Sequence, residues 1–303
     1  KLGINFERIK MFDKEEMPEY LDEYLLAMEE PNANPTGITM NYLYKMIHQA
    51  GEKIVLTGDG GDEIFGGYPR YEKVHAFPKL ISNNLIEKIQ NYSENIKLKT
   101  FLMSQLSVFH LSFWSVWHEY FDKTELEKLF KESNFENYLE SLFFEIVSNS
   151  NKEKKKRFLR LMEFDRKIWL VNESNRRLDR VSMHNSIEAR SPFQDENLIQ
   201  IIINHKNKFS FYKNKMGLRK LFPELGSLPL VSNKMGFISP LGEWLRANQV
   251  FIENNINYLE DYYQIKLQNK GVLLESPSRG EFRNMQKLWL LNVLGRWLDL
   301  NER

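Results

Sequence analysis

The chain has 303 residues, 42% of them hydrophobic and 27% charged, which is typical of a globular protein with one large domain or two small ones. Its formal net charge of +1 gives no reason to expect nucleic acid as a partner, and no apolar run approaches the ~20 residues that span a bilayer, so we expect no membrane partner. The absence of cysteine excludes disulfides, thiolate metal sites and a cysteine nucleophile, and we expect a cytoplasmic setting.

Two helices are predicted near the start of the chain. Residues 17–28 carry apolar side chains at helical spacing, and Asp13 with Glu16 matches a capping box in front of them. This helix should stop before the next proline, because the residue preceding a proline is pushed out of the α region. We expect residues 32–37 to form a loop and residues 38–50 to form the second helix.

A short strand with a glycine-rich acidic loop follows the second helix. Residues 53–56, with the sequence KIVL, are apolar without alternation, which is typical of a strand buried on both faces. Helix, buried strand and glycine loop in succession indicate an α/β fold. We expect the strand to be parallel and central in an open sheet, with residues 58–62 at its carboxyl end, where ligands bind in such sheets.

The loop has the composition of a phosphate or nucleotide site. Its glycines permit positive φ and a close approach of backbone N–H groups to a ligand. Three carboxylates, those of Asp59, Asp62 and Glu63, would repel a polyphosphate, so we expect a cation such as Mg²⁺ to bridge them. An ordinary Asp/Gly turn is the structural alternative. A Walker B element is disfavoured, because it requires a G-x-x-x-x-G-K-[ST] loop and this sequence has none.

The rest of the chain is predicted to be mainly helical. Residues 71–151 are rich in aromatic side chains, a long helical segment runs from about 152 to 182, and a last helix covers about 281–300. Four side chains of that last helix fall near one face: Phe282, Met285, Trp289 and Val293.

Three features outside the loop are expected to be structural. His118 lies in an aromatic stretch without a ligand cluster around it, so packing is favoured over a zinc site. Residues 113–117 are predicted to be core or interface, because no basic groove accompanies them. The basic run at residues 152–157 is predicted to be a solvated helix face, since the net charge is near zero.

Four ordered blocks resemble the asparagine synthetase family. Residues 56–71 match its [ST]-G-[DE]-G-x-D-E-x-F-G-G-Y signature, and residues 30–35 look like its E-P-x-A-D-P segment. Residues 178–193 resemble its D-R-x-S-M-x-x-S-x-E-x-R-x-P-F block. Residues 218–220 and 234–240 are similar to a late element that ends in K-x-G-F-x-x-P.

The resemblance implies the C-terminal synthetase domain of a glutamine-hydrolysing enzyme. The implied fold is α/β, with the parallel sheet of adenine-nucleotide α-hydrolases (PP-loop ATPases) and extensive helical additions. Residues 1–75 would belong to the nucleotide-binding part and residues 76–303 to its helical continuation. The S-G-G-x-D-S pyrophosphate loop is not in the sequence. We expect it, the first strand and a glutaminase domain to lie upstream in the same polypeptide, or the glutaminase to be a separate subunit.

The chemistry implied by the resemblance is ATP-dependent amide formation. A carboxylate attacks the α-phosphate to give an acyl-adenylate, and ammonia from glutamine then displaces AMP. Thr57 and Gly58 match the positions that contact AMP, and Asp62 matches a Mg²⁺ ligand. Asp59 matches the acidic position tied to intermediate formation and proton removal, and Lys234 the lysine held against the reacting phosphates. We expect Asp59, Asp62 and Lys234 to converge on one cleft.

Three alternatives for the substrate and activity are left open. Aspartate, giving asparagine, is the leading expectation. Asparagine synthetases often have glutamate where Asp59 stands and an arginine near the loop at residues 32–36, which here has none. The runner-up is a relative that amidates a surface-polysaccharide sugar or a secondary metabolite, and the third is an inactive scaffold. Arg180 and Arg190 look like ion-paired scaffold. A homodimer is left open, and the 303 residues alone are expected to show no turnover.

Overall fold

The computed structural model of the chain describes residues 8–76, 157–204, 209–226 and 239–302, together with seven single positions between 114 and 129. Within these residues the protein is mostly helical, with one pair of parallel strands. No helix in this part of the chain combines the length and the apolar character needed to cross a membrane.

The first predicted helix and its capping box are confirmed. A 3₁₀ turn at Lys14–Glu16 leads directly into α1 (Met17–Met28). The Glu16 carboxylate accepts the backbone N–H of Asp13 at 2.7 Å, which satisfies a donor at the helix start. Helix α1 ends at Glu29, whose φ of 54° is left-handed.

The second helix begins earlier than predicted. Helix α2 spans Pro35–Gln49, so the prediction that residues 35–37 belong to a loop is wrong. Asn34 caps the helix, because its Oδ1 accepts the Thr36 backbone N–H at 3.1 Å and the Thr36 hydroxyl at 2.7 Å. Proline suits the first helical position, where its missing N–H costs nothing.

The predicted strand is present and parallel, but its burial differs from the prediction. Strand β1 (Ile54–Leu56) pairs in parallel with β2 (Glu188–Arg190), in the register Ile54↔Glu188 and Leu56↔Arg190. Ile54 is 59% exposed and Leu56 70% exposed, so a strand buried on both faces is wrong for the described residues. The reason is that only the opposite face, through Val55, packs against the helices. Within the described residues the sheet has two strands, and a central position for β1 stays a prediction.

Two short helices follow the glycine loop, and a long helical run follows later. Helices α3 (Gly61–Phe65) and α4 (Pro69–Ala76) are separated by a glycine turn. The predicted long helical segment is confirmed from residue 157 onward as α5 (Arg157–Phe164), a π-helix (Asp165–Asn175) and α6 (Arg176–His184). The π-helix was not predicted. Such turns are rare in proteins overall, and those that occur are often found at functional sites.

The second half of the described chain is helical apart from β2. A 3₁₀ turn at Pro192–Gln194 precedes α7 (Glu196–Asn204) and α8 (Phe209–Tyr212), and a second one at Lys213–Lys215 precedes α9 (Met216–Leu221) and α10 (Pro223–Gly226). The C-terminal helices are α11 (Leu241–Ala247), α12 (Gln249–Tyr263), α13 (Lys270–Arg279) and α14 (Phe282–Glu302). Helix α14 confirms the predicted last helix. Trp289 and Val293 are buried as expected, whereas Phe282 is 63% exposed.

The apolar residues form two cores. The larger core joins α1, α2 and α6 to the C-terminal helices, with Trp244 and Trp289 near its centre. The smaller core joins α3, α4, α5, the π-helix, α7 and α8, around Phe65, Phe158 and Phe164. The glycine loop lies at the edge of the smaller core, because Ile64 and Phe65 of α3 are buried in it.

Candidate functional site

The glycine loop is shaped by two left-handed glycines on either side of α3. Gly60, with φ of 84°, precedes the helix, and Gly66, with φ of 76°, ends it. A Cβ added at Gly66 would lie 2.4 Å from the Tyr212 carbonyl oxygen, so α8 packs directly on this glycine. The backbone N–H groups of Gly66 and Gly67 both donate to the Asp62 carbonyl at 2.9 Å. The loop is therefore a closed turn that holds the acidic side chains of α3 in place.

The strand end of the loop is open to a ligand. The Thr57 N–H donates to the Arg190 carbonyl at 2.8 Å, and the Thr57 hydroxyl lies 2.9 Å from that of Ser191. Gly58 comes next, and a Cβ built there would meet no atom of the described residues within 4 Å. The structure places Gly58 at the carboxyl end of β1, as predicted, directly after Thr57.

Asp59 is oriented by the π-helix. The Ser174 hydroxyl donates to Asp59 Oδ1 at 2.9 Å, and Ser174 itself is 7% exposed. The phenol of Tyr44 lies near this carboxylate, and burial first and the Asp59 charge second raise the pKa of Tyr44 to about 12. Tyr44 therefore stays neutral near neutral pH, and the carboxylate that accepts the Ser174 hydroxyl has a neutral phenol in its neighbourhood.

Asp62 faces a cation. The Lys215 ammonium lies 2.9 Å from Asp62 Oδ1, and both side chains are partly exposed. Lys215 belongs to the 3₁₀ turn between α8 and α9, far from the loop in sequence. It was not among the residues singled out from the sequence, and the only sequence feature nearby is the matched block at residues 218–220.

Glu63 points away from the other two carboxylates. It is 3% exposed, and its Oε1 accepts the Tyr68 hydroxyl at 2.6 Å. Burial raises the pKa of Glu63, although the hydrogen bond from Tyr68 opposes this. The Arg70 guanidinium in turn lies 3.9 Å from the centre of the Tyr68 ring. Glu63 is therefore a buried structural carboxyl group rather than a ligand.

The three carboxylates contact three different partners. Asp59, Asp62 and Glu63 contact Ser174, Lys215 and Tyr68, respectively. In the described part of the chain, no group of three or more His, Asp or Glu side chains could hold a metal ion. Asp62 and Glu63 point in different directions because they are successive residues of α3, whereas Asp59 precedes this helix. A cation that bridges the carboxylates to a polyphosphate stays a prediction.

A second polar cluster lies beside Asp59 and was missed in the sequence. Glu173 accepts the Asn34 amide at 2.7 Å and the Arg177 Nε–H at 2.7 Å. Arg177 is 7% exposed, and its pKa is raised: burial would lower it, but the Glu173 charge and hydrogen bond outweigh that. The cluster joins the E-P-x-A-D-P-like segment to the π-helix. It places an arginine near the loop at residues 32–36, which has none of its own.

Of the remaining residues that the sequence analysis named, two form ion pairs and one lies outside the described residues. Arg180 pairs with Glu29, and Arg190 lies 3.5 Å from Glu188, so both are ion-paired as expected. Lys234 lies outside the described residues, and its convergence with Asp59 and Asp62 stays a prediction.

His118 is a packing residue, as expected. It stacks on Trp169 at 4.5 Å between ring centres, and its Nε2 lies 3.3 Å from Asp165 Oδ1. Asp165 is fully buried and also accepts the Tyr71 hydroxyl at 2.6 Å. Burial lowers the pKa of His118, so the ring stays neutral.

The chain is similar to known asparagine synthetases along most of its sequence. The sequence model of the Asparagine synthase family matches residues 1–299. Asparagine synthetase [glutamine-hydrolyzing] 1 of Bacillus subtilis (strain 168) is 22% identical over 308 residues, covering 96% of this chain and 47% of the relative. A putative asparagine synthetase [glutamine-hydrolyzing] of Mycobacterium tuberculosis (strain ATCC 25618 / H37Rv) is 21% identical, covering 95% of this chain and 45% of the relative.

A shorter match has higher identity. A putative asparagine synthetase [glutamine-hydrolyzing] 1 of Methanocaldococcus jannaschii is 36% identical over 70 residues, which is 22% of this chain and 13% of the relative. The chain spans about half the length of the curated relatives that it matches along most of its sequence. Because the family match runs over nearly all of the 303 residues, the chain belongs to the asparagine synthase family.

Proposed function

We propose that this chain carries the synthetase site of an enzyme that forms an amide at the expense of ATP. A carboxylate, with aspartate as the leading candidate, is activated as an acyl-adenylate and is then attacked by ammonia derived from glutamine. The observation that carries the proposal is the glycine loop at the carboxyl end of a parallel strand, with Asp59 and Asp62 held separately on it. Family membership supports ATP-dependent amidation in general.

The nucleotide would lie at the carboxyl end of β1. Gly58 is exposed, no atom of the described residues lies within 4 Å of a Cβ built there, and Thr57 directly precedes it. Backbone N–H groups at such a strand end can bind the phosphate or the base of a nucleotide. We assign the sheet to the PP-loop ATPase type, with the pyrophosphate loop supplied by sequence that these 303 residues do not contain.

Asp62 fits a magnesium ligand. Its carboxylate already faces a positive charge, that of Lys215, so the position suits a cation. Mg²⁺ is commonly held by one or two carboxylates together with substrate phosphates rather than by a cage of protein ligands, and a single aspartate here matches that pattern. When bound, Mg²⁺ would neutralise charge on the phosphates and on the departing pyrophosphate.

Asp59 is the residue placed to remove a proton. Ammonia must lose protons as the amide forms, and a carboxylate near the reacting carbonyl can accept them. The hydrogen bond from Ser174 of the π-helix fixes one oxygen of Asp59, and the charge of Asp59 contributes to the raised pKa of Arg177. Lys234 is proposed to contact the reacting phosphates, which follows from the family motif alone.

Amidation of a carboxylate other than aspartate is the second candidate. The specific observation in its favour is the loop at residues 32–36, which has no arginine, while the nearby Arg177 is already paired with Glu173. A carboxylate substrate would therefore have to compete with Glu173 for this guanidinium. The ammonia donor would be a glutaminase in the same polypeptide or in a separate subunit.

Exchange of pyrophosphate into ATP tests the proposal. The complete polypeptide is assayed with aspartate and with other carboxylates, since exchange reports adenylate formation for each of them. Lys234→Ala should abolish exchange, and Asp62→Asn should weaken its dependence on Mg²⁺. Asp59→Asn should lower amide formation by roughly 10²–10⁴-fold, the usual loss for a general base.

The controls separate the alternatives. Lys213→Met removes a similar charge from an exposed position on the 3₁₀ turn and should leave exchange unchanged. Residues 1–303 alone are expected to show no turnover, because they contain no S-G-G-x-D-S sequence. Normal exchange in Lys234→Ala would remove that assignment. No exchange with any carboxylate by the intact polypeptide would favour the inactive scaffold.

A further inference from the structure

The side chain of Lys215 lies against the glycine loop, which is about 150 residues away in the sequence. Its ammonium is 2.9 Å from Asp62 Oδ1. A Cβ added at Gly67 would be 2.6 Å from Lys215 Cε and 1.7 Å from Asp62 Oδ1, and a Cβ at Gly61 would be 3.6 Å from Lys215 Nζ. The ion pair is therefore pressed onto two glycines of the loop, where a larger residue would displace it.

The backbone around Lys215 is held in an unfavourable conformation. Asn214 has φ of 49° and Lys215 has φ of 58°, two consecutive left-handed residues, neither of which is glycine. Such residues persist only where the surrounding structure enforces them, and they cluster at functional sites. Here Arg219 donates to the Asn214 carbonyl at 2.9 Å, and Tyr212 packs on Gly66. The turn thus aims the lysine at Asp62.

An ammonium and a magnesium ion compete for the same carboxylate oxygen. Both are cations that bind through direct contact with Oδ1, and two positive charges at one oxygen repel each other. The two side chains are partly exposed, at 30% for Lys215 and 25% for Asp62, but Asp62 Oδ1 itself is buried, so an ion from solvent reaches this oxygen only when the ammonium moves away. Lysine is also flexible enough to leave the carboxylate without moving the turn.

We propose that Lys215 is an internal counter-ion of Asp62, which occupies the cation position on the glycine loop and must be displaced when Mg²⁺ binds with the nucleotide. This proposal rests on the proposed function, since it assigns Asp62 to the metal. After displacement, the ammonium remains next to the loop, where it can contact the phosphates. Lys215 is in this sense a positioning residue for the metal ligand. Because the ammonium competes for the carboxylate, Asp62 binds the metal weakly without nucleotide. Metal binding is thereby coupled to ATP binding.

Binding of Mn²⁺ as a substitute for Mg²⁺, measured by electron paramagnetic resonance without nucleotide or carboxylate, tests the proposal. The complete polypeptide is compared with Lys215→Met, Lys215→Arg and Asp62→Asn. Lys215→Met should bind Mn²⁺ roughly 3- to 5-fold more tightly, because a partly exposed ion pair of this kind no longer competes. Lys215→Arg should resemble the unchanged protein. In the double variant with Asp62→Asn, the gain should vanish.

The control is Lys213→Met, which removes the same charge from the same turn at an exposed position 3.9 Å from Glu72. It should change Mn²⁺ affinity by less than about twofold, since exposed pairs contribute little. Lys215→Gln replaces Lys215→Met if circular dichroism shows that the latter is unfolded. Unchanged, weaker or unmeasurable Mn²⁺ binding in a folded neutral variant would overturn the proposal. Because the titration uses no ATP or carboxylate, this outcome is distinct from a failure of the amidation assay.

Discussion

The two cores of the protein are organised differently. The larger core is built from helices that bury aliphatic and aromatic side chains, and its central polar contact is an amide pair, Asn255 to Asn292, at 2.8 Å. The smaller core buries several ionisable side chains, each at most 5% exposed: Glu63, Arg160, Glu163 and Asp165. Each of these groups has a charged or hydrogen-bonding partner, as burial requires: Arg160 and Glu163 pair with each other, Glu63 accepts the Tyr68 hydroxyl, and Asp165 accepts the Tyr71 hydroxyl.

The difference matters because the candidate site lies on the smaller core. An apolar core tolerates substitutions that conserve volume, whereas removing one partner of a buried charge strongly destabilises the folded protein. The glycine loop shows the same dependence, because Asp59, Asp62 and Glu63 contact Ser174, Lys215 and Tyr68, respectively. We therefore expect substitutions in the larger core to change stability and substitutions in the smaller one to change the site as well.

The largest effect is expected from Trp289→Ala in the larger core. Trp289 is 1% exposed, and its indole N–H donates to the Ala33 carbonyl at 2.9 Å. Truncation should lower the free energy of unfolding by about 3–5 kcal/mol, the usual cost of emptying an aromatic site. Chemical denaturation measures it. Phe282→Ala, on the same helix but 63% exposed, is the matched control and should cost under about 1 kcal/mol. Equal losses in both variants would contradict the packing described for α14.

A smaller loss of stability, with a change at the site, is expected for Gly67→Ala. The added Cβ would overlap Asp62 Oδ1 at 1.7 Å, so the carboxylate and Lys215 must move. We expect a loss of about 1–3 kcal/mol, typical of overpacking, together with altered Mn²⁺ binding. Gly271→Ala in α13, where a Cβ meets nothing within 4 Å, should be neutral or slightly stabilising. A stable Gly67→Ala variant with unchanged Mn²⁺ affinity would show that the loop is less tightly packed than described.

The smallest effect concerns the pH dependence of the smaller core. Burial lowers the pKa of His118 below its ordinary value of 6.5, so the unfolded chain takes up a proton at His118 before the folded chain does. The contribution of His118 to the free energy of unfolding is therefore complete above about pH 6.5. It is lost as the pH falls from there through the pKa of the folded state, by at most about 1.4 kcal/mol per pH unit. Thermal unfolding between about pH 7.5 and 5 measures the loss.

His118→Gln should flatten that dependence, because glutamine can still donate to Asp165 and does not titrate in this range. His48→Gln, at an exposed position near the end of α2, is the matched control and should leave the pH profile unchanged. A profile that is the same in all three proteins would mean that another group controls the acid sensitivity of the smaller core.

Local patterns in the sequence were sufficient to predict elements that depend on neighbouring residues. The capping box at Asp13, the helix at Met17–Met28 and the last helix were predicted because their signals repeat within one or two turns. The strand at Ile54–Leu56 and the loop after it were located for the same reason, and the family was recognised from motifs that are contiguous in the chain.

Tertiary structure decided everything that depends on partners distant in sequence. Periodicity cannot show that β2 pairs with β1, that one face of β1 stays exposed, or that Ser174 and Lys215 come to Asp59 and Asp62. Three carboxylates lie close together in the sequence, whereas in the structure Asp59, before α3, and Asp62 and Glu63, within α3, contact three different partners. The physical reason is that a short helix sets the direction of each side chain, while the partner it meets is set by how separate segments pack.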